Sequence, residues 1–216
     1  MNNKKMAAAV SEHKITAILR GIEPKKIPLV AQALYDGGIR LLEITFNQKS
    51  EAKLEDTVKA IRNVKGVYGE RMYIGAGTVM SIEELYAAKE AGAGFILSPN
   101  VDQEVIGKAV KENICAIPGA MTPTEIADAF MAGAGLVKVF PAGNLGITYC
   151  RAVMAPLNHI PMIAVGAIDD KNLKEFLKAG FVGVGIGSSL TDKAMIEKED
   201  YDGLRKLAAK YIQAAQ

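Results

Sequence analysis

The sequence predicts an α/β protein, a single (β/α)8 barrel over residues 1–216 with an added N-terminal helix. Three observations carry this. Eight short apolar runs start 20 to 32 residues apart, the length of one strand plus one helix. The longer segments between them place apolar residues at helical spacing. Glycine-bearing stretches then end several of those segments, where a helix must stop and turn back into a strand. A doubly wound open sheet is the alternative with the same period, but no GxGxxG opens a helix after the first run.

Taken in order, residues 1–14 read as the extra helix and "ITAILRG" (15–21) as the first strand. "LLEITF" (41–46) follows the glycine stop "DGGIR". "YIGAGTV" (73–79) is the third run, and "SIEE" after it fits a capping box with Ser81 and Glu84. "FILSPN" (95–100) follows "EAGAGF", and "CAIPGA" (115–120) is the fifth run. "TPTE" then starts a helix with Thr122 as cap, Pro123 at the first helical position and Glu125 closing the box. "LVKVFPA" (136–142), "PMIAVG" (161–166) and "FVGVGIGS" (181–188) complete the set. The stretch 201–216 reads as a terminal amphipathic helix.

Composition narrows the chemistry. Half of the 216 residues are apolar and the net charge is +2, which gives no footprint for nucleic acid. No apolar stretch approaches the roughly 20 residues of a membrane span, and the apolar part of the N-terminus is too short for a signal peptide. The two cysteines, Cys115 and Cys150, lack metal-ligand spacing and suit a reduced, cytoplasmic setting. With only His13 and His159 present, a histidine metal site or a Ser-His-Asp triad is disfavoured. Lysine, carboxylates, hydroxyls and main chain remain.

Strand alternation then decides which polar residues face the barrel interior. Thr16, Ile18 and Arg20 share one face of the first run, Leu41, Glu43 and Thr45 one face of the second. Leu136, Lys138 and Phe140 share one face of the sixth. Each charged residue alone reads as a strand-end or structural ion; an arginine, a glutamate and a lysine converging on one cavity point to chemistry. A lysine near a cation in a poorly solvated pocket has its ammonium form disfavoured. The neutral amine attacks ketones to form an imine, and a nearby carboxylate can move protons. Arg20 or Thr78 is available for a substrate carboxylate. "AVGAID" (164–169) and "GIGSSL" (185–190) end the last two strands, where barrels commonly hold phosphate on main-chain N–H groups. Gly166 and Gly187 allow close approach there, and Ser188 or Ser189 adds a hydroxyl; glycine used only for tight turns is the plainer reading.

In order along the chain, "LEITF", "GAGT", "SPN", "PG" and "KVFPA" resemble the class I aldolases for 2-keto-3-deoxy-6-phosphogluconate (KDPG) and 4-hydroxy-2-oxoglutarate (KHG). The resemblance runs from "AILRGI" to "GIGSSL". It implies a homotrimeric barrel that splits a keto acid to pyruvate and an aldehyde, with no cofactor beyond a covalent imine on Lys138. By position, Glu43 is implied as acid/base, and Arg20, Thr78, Pro99 and Phe140 as substrate-binding residues. Gly166, Ala167, Gly187 and Ser188 are implied around a phosphate. Asn47 stands where some members carry an arginine and is placed with the substrate-binding residues, which leaves more of the carboxylate to Arg20 or Thr78. Val165–Gly166–Ala167 replaces the "TGG" common in phosphogluconate enzymes, and similar valines occur in relatives using the galactonate epimer. The alternatives are therefore a galactonate-epimer aldolase or, without imine chemistry, a sugar-phosphate isomerase or epimerase; a small-molecule sensor barrel is a third reading.

Overall fold

In the computed structural model, which describes residues 1–216, a helix over Asn3–His13 precedes nine parallel strands. β1 (Ile15–Leu19), β2 (Leu41–Thr45), β3 (Tyr73–Gly77) and β4 (Phe95–Leu97) pair side by side in chain order. β5 (Cys115–Ile117) pairs with β4, whereas β6 (Gly119–Ala120) pairs with β7 (Val137–Val139). β8 (Met162–Val165) and β9 (Gly183–Ile186) complete the sheet, and β9 returns to β1.

Only Pro118 separates β5 from β6, so the two are halves of one barrel strand, and the eightfold reading holds. Proline has no N–H for the ladder, and the strand breaks at it. The seam is nonetheless bonded on both sides. Gly135 N–H donates to Ala116 O at 3.0 Å, Lys138 N–H to Pro118 O at 2.8 Å, and Ser98 N–H to Ile117 O at 3.4 Å.

Alternation sorts the core into two bodies. Ala17, Leu19, Leu42, Ile44, Val137 and Val139 join the layer between strands and helices. Ile18, Leu41, Leu97, Leu136, Ile163 and Val165 fill the barrel interior. Met6, Ala9 and Val10 of the first helix enter that interior cluster and plug the end where the strands begin. Asn2 caps this helix by accepting from Lys5 N–H, and Asn3 Nδ2 donates to Gly133 O at 3.0 Å, which ties the plug to the loop before β7.

The strands are shorter than the apolar runs suggest. Arg20, Thr78 and Phe140, read as strand residues, each lie one position past a strand end. The chain leaves extended geometry there: Thr78 has φ 57 and Gly21 φ 65, and Pro141 follows Phe140. A second correction concerns the caps. Thr122 and Glu125 form the full expected box, but Ser81 and Glu84 form half of one. Ser81 accepts from Glu84 N–H, whereas the Glu84 carboxylate turns to Met80 N–H at 2.6 Å and to side chains outside the helix.

The plug makes a quantitative demand. Met6 is fully buried, and truncating such a side chain costs about 2–5 kcal/mol. Met6→Ala is expected to lower the unfolding free energy by that amount, and with it the denaturant midpoint, in equilibrium unfolding while leaving ligand binding at the opposite end intact. An unchanged midpoint would show that the helix does not support the barrel.

Candidate active site

The strands end around a cavity of about 820 Å³. Its floor is polar. Glu43, on β2, and Lys138, on β7, point inward and are 1% and 5% exposed. Glu43 stands between Ile18 of β1 and Gly75 of β3 in register. The "GAG" of β3 makes room for it. A methyl group on Gly77 would lie 1.7 Å from Glu43 Oε1, and one on Gly75 would strike the Phe95 ring. One glycine admits the carboxylate, and the other admits the core aromatic beneath it.

The two charges are not structural glue. None of the chain's ion pairs joins Glu43 to Lys138, and Glu43 Oε2 has no hydrogen-bond partner. Burial holds the Glu43 carboxyl above the usual carboxylate range, with Lys138 and Arg20 pulling the other way. Burial likewise holds the Lys138 amine below an ordinary lysine; Glu43 opposes that shift, and Arg20 adds to it. The site therefore favours an uncharged amine beside a carboxyl able to hold a proton, the combination that nucleophilic attack and proton transfer require. Lys138 Nζ also lies 5.1 Å from the centroid of the Phe140 ring.

Above this floor the next residues form a ring. Arg20, Thr78, Phe140, Gly166 and Gly187 each stand one position beyond a strand and line the cavity, with Pro99, Ala167 and Ser188 beside them. Arg20 donates to Thr78 Oγ1 at 3.2 Å, so a cation and a hydroxyl face the cavity together. At the ends of β8 and β9, between Phe140 and Arg20, the wall is main chain. The N–H groups of Ala167, Ile168, Ser188 and Ser189 have no acceptor within the chain. Ser189 Oγ donates to Ile168 O at 2.9 Å and ties the two loops, which leaves Ser188 as the hydroxyl open to a ligand. Unpartnered N–H groups on two adjacent loops of the cavity wall suit an anion.

Asn47 does not line this cavity. The chain turns outward after Phe46, whose ring packs in the outer layer, so alternation no longer applies one residue later. Asn47 instead lies in a neighbouring groove with Ser50 and Lys53, its Oδ1 accepting from Lys49 N–H at 3.2 Å. Sequence reasoning missed Lys26, Lys193 and Thr191 on the cavity wall. Lys26 Nζ donates to Ile196 O at 3.3 Å, Lys193 pairs with Glu197 at 3.5 Å, and Thr191 Oγ1 bridges toward Ile18 O and Gly187 O. Surface lysines are common, and no local pattern marks these two. Cys115 and Cys150 are free and buried; burial pushes the Cys115 thiol up to about 12, outside any nucleophilic range.

Comparisons agree with this geometry. The family model for "KDPG and KHG aldolase" matches residues 6–207. The 2-dehydro-3-deoxy-6-phosphogalactonate aldolase of Escherichia coli K12 is 37% identical over 177 residues, 82% of this chain and 83% of that protein. The KHG/KDPG aldolase of the same organism is 32% identical over 87% of this chain and 85% of its own. A KDPG aldolase from Legionella pneumophila, solved with pyruvate captured as a covalent carbinolamine, superposes with a TM-score of 0.84 at 25% identity, covering 94% of this chain and 96% of that one.

The electrostatics predict opposite responses to two substitutions. Labelling of Lys138 by a small amine-reactive reagent, followed by mass spectrometry across pH, should show a midpoint below that of surface lysines. Arg20→Gln removes a cation that lowers it and should move the midpoint to higher pH; Glu43→Gln removes an anion that raises it and should move it to lower pH. Shifts of the same sign in both variants would disprove this account.

Proposed function

The chain belongs to the KDPG and KHG aldolase family, a family of lyases, and from that premise we propose that it cleaves a 2-keto-3-deoxy-6-phospho sugar acid to pyruvate and glyceraldehyde 3-phosphate. The observation that carries the reading is the buried Lys138 amine beside the unpartnered Glu43 carboxyl. Lys138 Nζ adds to the C2 carbonyl, and loss of water gives the protonated imine. Glu43, directly or through one water, takes the proton of the C4 hydroxyl. The C3–C4 bond then breaks, its electron pair passes into the imine, and the aldehyde leaves. Glu43 returns the proton to C3 of the enamine, and hydrolysis frees pyruvate and the amine. No metal takes part in this scheme.

Arg20 and Thr78 receive the carboxylate, Pro99 and Phe140 shape the cavity around C3 and C4, and the N–H groups near Gly166, Ala167, Gly187 and Ser188 hold the phosphate. The same scheme serves the shorter 4-hydroxy-2-oxoglutarate, which lacks the phosphate anchor. One observation favours the galactonate epimer among the phosphorylated substrates. Val165 presents an apolar side chain from the end of β8 into the cavity, where a hydroxyl would otherwise meet the substrate. The relative at 37% identity is named for phosphogalactonate.

For assembly we propose a homotrimer, supported by apolar surface on one helix. Helix Pro123–Met131 leaves Phe130 36% and Met131 76% exposed, and His159 packs against the Phe130 ring edge-on. No helix of the protein is long and apolar enough to cross a membrane.

Borohydride with pyruvate should add a reduced pyruvyl mass at Lys138, and Lys138→Ala should abolish both adduct and turnover. Glu43→Gln should lower kcat about 10²–10⁴-fold while adduct formation persists. An adduct elsewhere, or none, would sink the imine mechanism. In parallel assays, kcat/KM for the phosphorylated epimers should exceed that for 4-hydroxy-2-oxoglutarate by about tenfold or more, as charge-assisted bonds to phosphate require. Sedimentation should give three times the 23.0 kDa chain mass, and a monomer would refute the assembly.

A further inference from the structure

The loop after β2 reaches the cavity mouth indirectly, through Gln48. Thr78 has φ 57, a left-handed conformation that is rare and costly for a β-branched residue. It persists only where the surroundings fix it, and here they do. Gln48 Nε2 donates to Thr78 O at 3.0 Å, Val79 N–H to Leu97 O at 3.0 Å, and Met80 N–H to Glu84 Oε2 at 2.6 Å. Three consecutive residues are thus held by groups that do not line the cavity.

The holding groups also fix one another. Gln48 Nε2 donates to Glu84 Oε1 at 2.8 Å, and Lys53 Nζ bonds both Gln48 Oε1 at 2.9 Å and Glu84 Oε1 at 2.8 Å. Glu84 is 1% exposed. Burial works against its ionisation, yet the bonds from Lys53, Met80 N–H and Gln48 prevail and hold its carboxyl below the usual range. Glu125, at the same position of its own helix, bonds only the N–H groups of Met121 and Thr122. The two helix starts look alike in sequence; Glu84 is diverted to a different task.

We propose that Gln48 and Glu84 are positioning residues that lock the Thr78 turn, so that the Thr78 hydroxyl and its partner Arg20 present a fixed site to the substrate carboxylate. The proposal rests on the reading that Thr78 and Arg20 receive that carboxylate. Gln48 is exposed and its removal spares the core, so the fold survives its truncation.

Four proteins test it: wild type, Gln48→Ala, Thr78→Val and the double variant, each assayed for kcat, KM and thermal midpoint. Gln48→Ala should raise KM about 3–10-fold with kcat little changed, because an interaction present equally in bound and transition states is lost. Its thermal midpoint should stay near wild type. Thr78→Val should raise KM as well. Once the hydroxyl is gone, adding Gln48→Ala should raise KM no further, since Gln48 acts through Thr78. Glu84→Gln, which turns an amide donor toward Gln48 and Lys53, should raise KM in the same sense. A normal KM in Gln48→Ala beside a raised KM in Thr78→Val overturns the proposal and leaves the carboxylate reading standing. Fully additive effects in the double variant overturn it too. A normal KM in Thr78→Val overturns the carboxylate reading and the proposal with it.

Discussion

Everything at the mouth of this barrel depends on keeping an amine and a carboxyl dry without letting them neutralise each other. Taking a charged lysine or glutamate out of water costs several kcal/mol even after relaxation. A close ion pair would offset that cost and would also silence both groups. Glu43 and Lys138 are held in the same interior with Oε2 of the glutamate unpartnered, so each relieves the penalty by shifting toward its uncharged form. The offsetting stabilisation comes from the apolar bodies on either side of the sheet, including the Met6 plug that seals the far end against water. The local sequence serves the same constraint: Gly77 exists to admit Glu43 Oε1.

The layers of the site follow from how far each residue lies past its strand. Residues inside the strands, Glu43 and Lys138, sit in the dry floor where pKa values shift. Residues one position beyond, Arg20, Thr78 and Phe140, stand in the ring at the cavity mouth. Between Phe140 and Arg20, the loops after β8 and β9 offer main-chain N–H groups rather than side chains. Two of the mouth residues, Thr78 and Ala167, occupy the left-handed region without being glycine, and strain of about 1–3 kcal/mol each persists only where the surroundings over-determine it. Thr78 is held by side chains from a neighbouring loop; around Ala167, Asn172 Nδ2 takes the carbonyl at 2.9 Å and Gly143 N–H takes that of Gly166 at 2.8 Å.

Much of this was legible in the sequence because the signals are local. A lysine and a glutamate in apolar runs, read with period-two alternation, place Glu43 and Lys138 on the inner face from the sequence alone. Alternation failed two residues past the strand. Asn47 falls on the inward parity of β2, but the chain has already turned, and Gln48 does the reaching from outside. The pairing of Glu84 with Lys53 and Gln48 was equally hidden: it spans 31 and 36 residues, and a helix start with S-x-x-E looks like a cap whichever way the carboxylate turns. The break at Pro118 is written in the sequence as proline, yet which neighbour each half pairs with is a property of closure.

This division of labour explains how such a barrel can change its substrate without losing its reaction. In the proposed mechanism the groups that make and break bonds belong to β2 and β7, embedded in strands whose other face is core, so substitutions there disturb packing and pKa together. In the same reading, the groups for the distal part of a substrate belong to the ends of β8 and β9, where Val165, Ala167 and Ser188 line the cavity. Val165 also packs in the interior cluster with Ile18 and Ile163, so exchanging it for a hydroxyl-bearing residue changes the cavity wall and its packing together, without altering Glu43 or Lys138. Main-chain N–H donors persist through such exchanges, because they depend on the turn and not on the side chain. A phosphate anchor of the proposed kind therefore tolerates exchange of the side chains around it, because its donors are main chain.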